Sequence, residues 1–523
     1  MKRFLFTTIV TFALLSICSS ASAQKPQQSV KLEDMTFVRQ SFVRNFYTSN
    51  KIMSQINMEG TNLFLANSAN IIVENRGTTN TPTIKQQGRT LRITSTDAAE
   101  AATLRVGAFH PYLCYEVELA EMDSNDAAGI EFYPNNGKGD IIRTIYCNSK
   151  VQSLKIADGK QTALAEKATE KSDKITLRLQ YTGVRFHVMR IHDDGRAELL
   201  YSVKNDMRAV ESCITHSFGV YVAPSDAGEI ALLKAQSLLT SGTGQADPQI
   251  IQTTDGNPLI RDGRLYVCFT TRGFEQIPDS YQGIYSLDVA SYELRLEGAL
   301  FFGKGDGIMY GFHATKVVYD PAKEEYLVMT TTHGDTHTLA YCSTKADILH
   351  GIHYLECEEL DFPHNYTRGK QAEIKYNTED PDFFYDAKAR RWRLAYCALK
   401  DKSYVTYLCE SKNWNGPYSQ IAESVQNNNT GIRITTVGGE RFVLSGGSDT
   451  TFYIYEYPTL KYRGTFQQQY ANGGFRGWPT IVPIPYGNYE RYLWITFDRG
   501  AQTGKYSYGT LYFYLGDKMW KTE

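Results

Sequence analysis

Residues 381–398 read PDFFYDAKARRWRLAYCA: an apolar strand, a polar turn and a second strand rich in aromatic residues. Four other segments in the second half of the chain repeat this pattern: PLIRDGRLYVCFTTR from Pro258, TKVVYDPAKEEYLVMTTTHG from Thr315, RITTVGGERFVLSGG from Arg433 and PTIVPIPYGNYERYLWITFDRG from Pro479. Each is followed by another hairpin-like pair of strands, so one repeat corresponds to one four-stranded blade. Because a single blade cannot cover its own apolar faces and radial stacking can, five repeats spaced by 46 to 66 residues predict a five-bladed β-propeller over residues 250–523.

Residues 30–240 lack this repeat. Short alternating strands such as LRITS, YEVELAE and KITLRLQYTGVRFHVMRI are separated by turns such as NNGKGD. This pattern is typical of a β-sandwich, and we expect a concanavalin-like or jelly-roll-like accessory domain. The stretch SLLTSGTGQADPQ, residues 237–249, is rich in Ser, Gly and Thr and is interpreted as the join to the propeller. The predicted fold class is therefore all-β, in agreement with an aromatic content of 13% led by 36 Tyr.

The first residues have the features of a secretory signal peptide. A basic start precedes an apolar run over residues 4–16 and the small-residue sequence ASA at residues 21–23. We therefore expect residues 1–23 to be removed and the mature protein to be secreted or periplasmic. Cys18 leaves open the alternative of a lipoprotein, although the bulky residue before it fits lipoprotein processing poorly. No later run approaches the ~20 apolar residues that span a bilayer, so no membrane span is expected.

Charge and cysteine content exclude several function classes. The net charge of −2 comes from interspersed charged residues without a basic block, so a nucleic-acid partner is not expected. Eight cysteines follow the signal peptide without C-x-x-C spacing, which indicates buried small hydrophobic residues with room for one disulfide, not a metal site. His333 and His337 have an i, i+4 spacing but fall in a turn, so we expect neither a transition metal nor a redox cofactor. Nothing in the sequence indicates an oligomeric state.

An acidic cluster, Glu379, Asp380 and Asp382, stands at the start of the third repeat. In a propeller the innermost strand of each blade lines a central channel, so positions at the starts of different repeats converge at one mouth. Besides these acids, the predicted mouth contains Asp255, Asn257, His313, Arg433, Arg476 and Trp478. An indole for the apolar face of a sugar ring, polar groups for its hydroxyls and two arginines for the carboxylate of an acidic sugar would suit a carbohydrate substrate.

These features resemble those of the five-bladed propeller glycoside hydrolases of family 43 and, more loosely, of family 32. The resemblance rests on the five repeats, the Asp380-Pro381 step that opens blade three, the related Asn257-Pro258 step that opens blade one, and an accessory sandwich. It implies a general base at the start of blade one, a pKa-tuning aspartate at the start of blade three, which Asp380 matches, and a general-acid glutamate at the start of blade four. Here blade one has Asn257 with Asp255 two residues earlier, blade four has NNNTGIR without a glutamate, and the sandwich precedes the propeller. The resemblance also leaves room for a structural calcium in the channel.

Glycoside hydrolysis needs one protonated and one ionised carboxyl group. Asp380 and Asp255 are the predicted pair, with Glu379 or Asp382 raising the pKa of Asp380 by like-charge repulsion. Because adjacent residues of a strand face opposite ways, only Asp382 is expected to share a face with Asp380. His313 is a further candidate, as a general base or as a hydrogen-bond partner of the sugar.

Several alternatives remain open. Asp380 and Asp255 are also typical of residues that cap a turn at the start of a strand. A carbohydrate-binding propeller without turnover would explain the missing blade-four glutamate, and a polysaccharide lyase that uses His313 would explain the histidine and the arginines. The function that the sequence favours is a secreted glycoside hydrolase acting on a plant or host polysaccharide or its oligosaccharides.

Overall fold

The computed structural model describes residues 31–44, 50–57, 71–273, 279–333, 337–364, 377–425, 428–447, 451–467, 478–486, 489–498 and 510–517. Within these ranges helix is limited to the 3-10 turn Leu32–Asp34 and the α-helix Ser212–Thr215. The predicted all-β class is confirmed. None of the helix in these ranges has the length and apolar character needed to cross a membrane. The predicted signal peptide, Cys18 and Arg476 lie outside the described residues.

The first part of the chain forms two antiparallel sheets. Its strands, in chain order, are β1 (Thr36–Val43), β2 (Asn50–Asn57), β3 (Val73–Asn75), β4 (Thr83–Gln87), β5 (Thr90–Thr94), β6 (Ala102–Ala108), β7 (Cys114–Ala120), β8 (Ala127–Pro134), β9 (Ile141–Cys147), β10 (Lys150–Ala157), β11 (Lys160–Ala168), β12 (Ile175–Tyr181), β13 (Arg185–Ile191), β14 (Ala197–Lys204), β15 (His216–Ala223) and β16 (Glu229–Thr240). One sheet has the order β11-β10-β9-β8-β15-β6-β3, and the other has the order β14-β13-β12-β7-β16-β5-β4 with β2 also paired to β16. β1 belongs to neither of these two sheets.

Aromatic and aliphatic side chains pack between these two sheets. The ring of Tyr115 in β7 lies 4.7 Å from that of Phe132 in β8 and 4.8 Å from that of Phe218 in β15, centroid to centroid. Leu177 and Leu179, two residues apart in β12, are both fully buried, as expected for the core-facing side of a strand. The boundary near residue 240 and an accessory role for this part of the chain remain predictions.

The second part of the chain forms five sheets arranged in a ring. Its strands, in chain order, are β17 (Gly244–Ile250), β18 (Gln252–Thr253), β19 (Ile260–Arg261), β20 (Arg264–Arg272), β21 (Tyr281–Asp288), β22 (Leu294–Gly303), β23 (His313–Asp320), β24 (Glu325–Thr331), β25 (Leu339–Thr344), β26 (Gly351–Glu356), β27 (Glu358–Glu359), β28 (Thr378–Asp386), β29 (Arg391–Lys400), β30 (Ser403–Ser411), β31 (Ser419–Glu423), β32 (Thr430–Val437), β33 (Glu440–Gly446), β34 (Thr451–Glu456), β35 (Tyr462–Gln467), β36 (Thr480–Tyr486), β37 (Tyr489–Phe497) and β38 (Leu511–Asp517). The inner strands β17, β23, β28, β32 and β36 each contact the next, and β36 contacts β17. The predicted five-bladed propeller is confirmed.

Blades one and two differ from the predicted repeat. The inner strand of blade one is Gly244–Ile250, which lies within the segment interpreted as a join, whereas the segment from Pro258 supplies β19 and β20. This strand contains Gly and an Asp-Pro step, which are typical of loops, so the sequence pattern did not indicate a strand here. In blade two, β26 pairs in parallel with β22 of blade one, which leaves only Glu358–Glu359 as the outer strand of blade two.

The strand nearest the amino terminus completes blade five. β1 pairs antiparallel with β38, so the sheet order is β1-β38-β37-β36. Phe37 of β1 packs against Trp494, with 5.4 Å between ring centroids, and against Phe466 at 5.9 Å. Residues 36–43 therefore belong to the propeller, not to the amino-terminal sheets in which the sequence pattern had included them. Pairing strands from both ends of the chain covers the sheet edge that β38 would otherwise expose.

The amino-terminal sheets contact the propeller directly. The ring of Tyr112 lies 4.7 Å from that of Phe301 in blade one. At the same interface, His187 Nε2 of the amino-terminal sheets lies 3.9 Å from the carboxylate of Asp279 in the propeller. One cluster of buried hydrophobic residues runs from the two sheets into blades one and five. The two parts of the chain thus share a continuous core.

Polar contacts link the five inner strands around the channel axis. In order around the circle the paired groups are Gln249 Nε2 with the Ala314 carbonyl (3.3 Å), Lys316 Nζ with the Asp382 carboxylate (2.9 Å), the Ile434 N–H with Asp382 (2.8 Å), Arg433 Nε with Thr480 Oγ1 (3.3 Å), and Thr480 Oγ1 with the Pro248 carbonyl (2.6 Å). Each contact joins one blade to the next, and the last returns to blade one. We call this set of contacts the axial ring.

Because β1 completes blade five, its packed side chains should stabilise the propeller. We expect Phe37→Ala to lower the free energy of unfolding by about 2 kcal/mol, less than for a fully buried Phe because Phe37 is half-buried. Phe42→Ala in the same strand is the matched control, because Phe42 is 63% exposed and should change this free energy by no more than about 0.5 kcal/mol. Urea unfolding followed by tryptophan fluorescence measures both variants. Equal effects would contradict the assignment of β1 to blade five.

Candidate functional site

The inner strands of blades one to four share a bulge near their first residues. Their pairing with the second strand of the blade is irregular between Ala246 and Gln249, between His313 and Lys316, between Glu379 and Asp382, and between Thr430 and Arg433. At the same position in each bulge one residue has a positive φ: Asp247 (54°), Ala314 (51°), Asp380 (65°) and Gly431 (69°). Because a bulge bends the strand and redirects its side chains, these positions form one layer at one end of the channel. We call this end the mouth.

Asp247 is the blade-one counterpart of Asp380, and each is followed by a proline. Asp247 is 8% exposed and Asp380 is 5% exposed. The guanidinium of Arg272, at the end of β20, lies 3.8 Å from the Asp247 carboxylate. The negative charge of Asp247 contributes to a raised pKa of Asp380, so the two carboxyl groups interact electrostatically across the mouth. The carboxyl group that accompanies Asp380 at the mouth is therefore that of Asp247, and not that of Asp255 as predicted.

The carboxyl group of Asp380 is held by contacts from blades three and four. Its Oδ2 accepts a hydrogen bond of 2.7 Å from the Gly431 N–H and lies 3.6 Å from Cys397 Sγ. The Asp380 backbone N–H donates to Thr331 Oγ1 of blade two at 3.1 Å. The side chain is therefore fixed in position, as a group that must meet a bound ligand requires.

Burial is the main cause of a strongly raised pKa at Asp380. Repulsion from Glu379 and then from Asp247 raises this pKa further. The hydrogen bond from Gly431 and the positive charge of Arg433 lower it in part. Asp380 thus resists ionisation to a pH well above the usual range of a carboxyl group, as a general acid must.

Glu379 faces the same space as Asp380. Carboxylate oxygens of both residues and the sulfur of Cys397 lie within 4.8 Å of one another. The prediction that Glu379 and Asp380 face opposite ways was wrong, because the strand alternation on which it rested is interrupted by the bulge at Asp380. Glu379 is also near Tyr404, whose pKa is raised by burial and then by this carboxylate.

His313 lies at the mouth, as predicted, but it is buried and bonded within the protein. Its Nε2 is 2.5 Å from Ser280 Oγ and accepts a hydrogen bond of 3.2 Å from Arg272 Nη1. Because Arg272 also contacts Asp247, His313 orients the arginine that holds this carboxylate. The geometry therefore favours a positioning role for His313.

Three imidazole rings form a row across the mouth. The ring centroid of His333 lies 3.7 Å from that of His313 and 4.6 Å from that of His337. At the far end of the row His337 Nε2 lies 3.5 Å from the Glu379 carboxylate. Burial lowers the pKa of His333 well below its usual value, and the nearby His337 adds to this effect. The row thus extends from the Asp247 side of the mouth to the Glu379 side.

Asp382 and Arg433 were predicted to lie in the mouth. The structure places both in the axial ring, one layer further into the channel. Asp382 pairs with Lys316, and the side chains of this pair are only 3% and 2% exposed. Burial lowers the pKa of Arg433 to about 10, although the carboxylates of Asp382 and Asp380 oppose this shift. Arg433 stacks 4.4 Å above the ring of Trp478, which is 4% exposed and is thus not an open platform for a sugar.

Asp255 and Asn257 lie at the opposite end of the channel. Asp255 accepts a hydrogen bond of 2.6 Å from Asn257 Nδ2 in an exposed turn. The preceding Thr254 carbonyl accepts a hydrogen bond from the N–H of Tyr385, which is five residues, or about 16 Å, beyond Asp380 along β28. A cavity of about 220 Å³ at this end is lined by both predicted residues. They were misplaced because the inner strand of blade one had not been recognised.

The described residues of the channel do not suit a calcium ion. Ca²⁺ takes six to eight oxygen ligands. At the channel axis the buried cations Lys316 and Arg433 would repel it. Among the described residues, one group of three could hold a metal, Glu379, Asp380 and Cys397, and a thiol is a poor ligand for calcium.

Two features of the sequence could have identified the site more fully. The Asp-Pro step at Asp247 lies 67 residues before Ala314, and Ala314 lies 66 residues before Asp380, so alignment on the bulges would have recovered blade one. The second feature is the close spacing of His333 and His337, which was interpreted only in terms of metal binding although both residues lie at the mouth. Arg272 has no local signal, because it reaches the mouth only through the fold.

Comparison with known proteins found no match to a protein-family model and no match to a curated protein sequence. Parts of the chain are similar to solved structures. An exo-β-1,3-galactanase from Clostridium thermocellum shares 13% identity over 51% of this chain and 61% of its own length, with a TM-score of 0.37. An inulosucrase from Halalkalicoccus jeotgali, bound to kestose, shares 12% identity over 50% of this chain and 77% of its own, with a TM-score of 0.36. The carbohydrate-binding module CBM66 from Bacillus subtilis shares 16% identity over 35% of this chain and 96% of its own, with a TM-score of 0.23. At these values the similarities assign neither a family nor an activity.

Lys316→Met should strongly destabilise the propeller. It removes the partner of a buried carboxylate, and we expect a loss of about 3–5 kcal/mol in the free energy of unfolding. The double variant Lys316→Met/Asp382→Leu removes both charges and should recover part of that loss. Denaturant unfolding of the two single variants and the double variant forms a thermodynamic cycle. Additive losses would contradict a direct coupling of the two side chains.

Asp380→Asn should stabilise the fold, and increasingly so as the pH rises. The pKa of Asp380 is raised in the folded state, so the folded protein binds this proton more tightly than the unfolded chain does. The free energy of unfolding of the wild-type protein therefore falls as the pH rises from about 4 towards the folded-state pKa. Asparagine keeps the neutral form and does not lose this contribution. Melting temperatures of both proteins between pH 4 and 8 measure the difference.

Asp386→Asn, at the other end of the same strand, is the control with the opposite sign. Burial pushes the pKa of Asp386 up, but hydrogen bonds from Tyr457 and Ala389, together with the positive charges of Arg441 and Arg393, outweigh it and hold the pKa below its usual value. This variant should be less stable than wild type near neutral pH, and the difference should shrink as the pH falls below about 4. The same pH trend in both variants would contradict the assigned shifts.

Proposed function

We propose that the propeller hydrolyses glycosidic bonds in a carbohydrate and that the reaction takes place at the mouth. The observation that carries the proposal is the pair of equivalent Asp-Pro bulges, which bring Asp247 and Asp380 to one end of the channel and bury both carboxyl groups. Two carboxyl groups held in different protonation states are what the cleavage of a glycosidic bond requires. The proposed substrates are plant or host polysaccharides or their oligosaccharides. An exported protein would meet them outside the cytoplasm, in agreement with the predicted signal peptide.

Asp380 is proposed as the general acid. Its raised pKa keeps the proton available for transfer to the leaving oxygen as the glycosidic bond breaks. Asp247 is the ionised partner, because the guanidinium of Arg272 lies 3.8 Å away and favours its negative charge. It either accepts a proton from the attacking water or attacks the anomeric carbon itself. His313 and Arg272 hold Asp247 in place, and neither carries the transferred proton.

Carbohydrate binding without turnover is the second candidate. The observation that favours it is Gly431, which occupies the blade-four position equivalent to Asp247 and Asp380 and offers only its N–H, to Asp380 Oδ2. The described residues at the start of β32 contain no carboxylate that could act as a separate acid. A lyase based on His313 is less well supported, because Nε2 of this residue already contacts Arg272 and Ser280.

Asp247→Asn and Asp380→Asn should each lower turnover by roughly 10² or more, because each removes a positioned acid or base. Asp255→Asn is the control: this residue lies in an exposed turn at the opposite end of the channel, and its replacement should leave turnover unchanged. The assay is release of reducing sugar from a panel of plant and host polysaccharides and oligosaccharides.

The outcomes separate the candidates. Loss of activity in Asp255→Asn with full activity in Asp247→Asn would restore the pair predicted from the sequence. Retention of a glycan by the wild-type protein on affinity electrophoresis, without cleavage of any substrate, would favour the binding module. An ultraviolet-absorbing unsaturated product would indicate a lyase.

A further inference from the structure

Cys342 and Cys357 meet where the chain passes from blade one to blade two. β26 pairs with β22 in the sheet of blade one, whereas β27 pairs with β25 in blade two. Cys357 is the one residue between β26 and β27, and its N–H donates to the Gly303 carbonyl of blade one at 3.0 Å. It therefore lies at the crossing point between the two blades.

The strand register brings the two cysteines opposite each other. In the antiparallel pair of β25 and β27, Ala340 pairs with Glu359 and Tyr341 with Glu358. Extending this register by one residue places Cys342 opposite Cys357, in agreement with the effect of Cys342 on the pKa of Cys357. Directly opposed residues of antiparallel strands have Cα atoms about 4.5 to 5.5 Å apart, within the range of about 4.4 to 6.8 Å that a disulfide spans.

The surroundings of the two thiols agree with this pairing. Cys342 is 6% exposed and belongs to the hydrophobic cluster of blades one and two, against which Cys357 packs. The proximity of the Cys342 thiol, together with burial, raises the pKa of Cys357. Cys357 is partly buried as a residue, whereas Cys342 is buried.

We propose that Cys342 and Cys357 form a disulfide under oxidising conditions. A low-molecular-weight or protein disulfide supplies the oxidation by exchange: the thiolate of one of the two cysteines attacks it, one thiol leaves, and the thiolate of the other cysteine then displaces the second thiol. Overall two S–H bonds become one S–S bond, and the oxidant disulfide takes up two electrons and two protons. The bond closes a loop of the chain between residues 342 and 357.

This bond fastens the point at which the two blades exchange strands. The outer strand of blade two has only the two residues Glu358–Glu359, so few hydrogen bonds hold it to β25. The disulfide supplies a covalent link at the same place and restricts the unfolded chain. The predicted export to an oxidising compartment is where such a bond would persist.

The test compares the purified mature protein after equilibration with oxidised glutathione and after reduction. Oxidation should remove two of the eight thiols titrated in denaturant, and peptide mapping should show one cross-linked peptide joining residues 342 and 357. The apparent melting temperature of the oxidised protein should exceed that of the reduced protein by about 2 to 5 °C. Cys342→Ser and Cys357→Ser should each abolish both effects.

Cys409→Ser is the matched control. Cys409 lies in β30, the third strand of blade three, as Cys342 lies in β25, the third strand of blade two, and it is buried beside Tyr396. This variant should keep the difference in melting temperature between the oxidised and reduced forms. The proposal is overturned if oxidation leaves all eight thiols free, or if the cross-linked peptide contains a different pair of cysteines. It does not depend on the proposed hydrolysis.

Discussion

The buried contact between Lys316 and Asp382 governs the geometry of the propeller. Both side chains are almost fully excluded from water, so either charge without the other would carry a large desolvation penalty. Such a pair adds little net stability, and we expect it to favour one relative placement of blades two and three. Asp382 also accepts the N–H of Ile434 in blade four, and the axial ring continues through Thr480 to the Pro248 carbonyl of blade one. The inner strands are thereby fixed in register at the axis.

The mouth depends on this register. The bulges of blades one to four lie directly beyond the axial ring, so a shift of one strand would separate Asp247 from Asp380. The acids of the mouth thus lie next to the axial ring, which contains the cations Lys316 and Arg433 and the carboxylate of Asp382. The cation Arg433 offsets the burial of Asp380 only in part, and this carboxyl group retains a strongly raised pKa. A buried carboxyl group with a raised pKa costs stability at neutral pH, and such a cost is common at functional sites.

The sequence predicted the architecture well because propeller repeats are local patterns. Alternation and turn chemistry identified five repeats and the strands of blades three and four, and they placed Asp380, Glu379 and His313 at the mouth. The start of blade one was missed because Gly244–Ile250 has the composition of a loop, and Asp255 was then chosen in place of Asp247. The joint orientation of Glu379 and Asp380 could not be predicted, because a positive φ at an aspartate is a consequence of the bulge and not of the alternating pattern. Long-range contacts such as that of Arg272 with Asp247, and the closure of blade five by β1, have no local signature at all.

Because Asp380 is buried beside two other acids, we expect it to remain protonated at a pH where exposed carboxyl groups are ionised. Infrared difference spectroscopy measures this directly, as the C=O stretch of a protonated carboxyl group is resolved from that of a carboxylate. We expect a band from a protonated carboxyl group near neutral pH in the wild-type protein and no such band in Asp380→Asn. In Glu379→Gln one repelling charge has been removed, so this band should disappear at a lower pH than in the wild-type protein. A wild-type protein in which every carboxyl band disappears between about pH 3 and 5 would contradict the account.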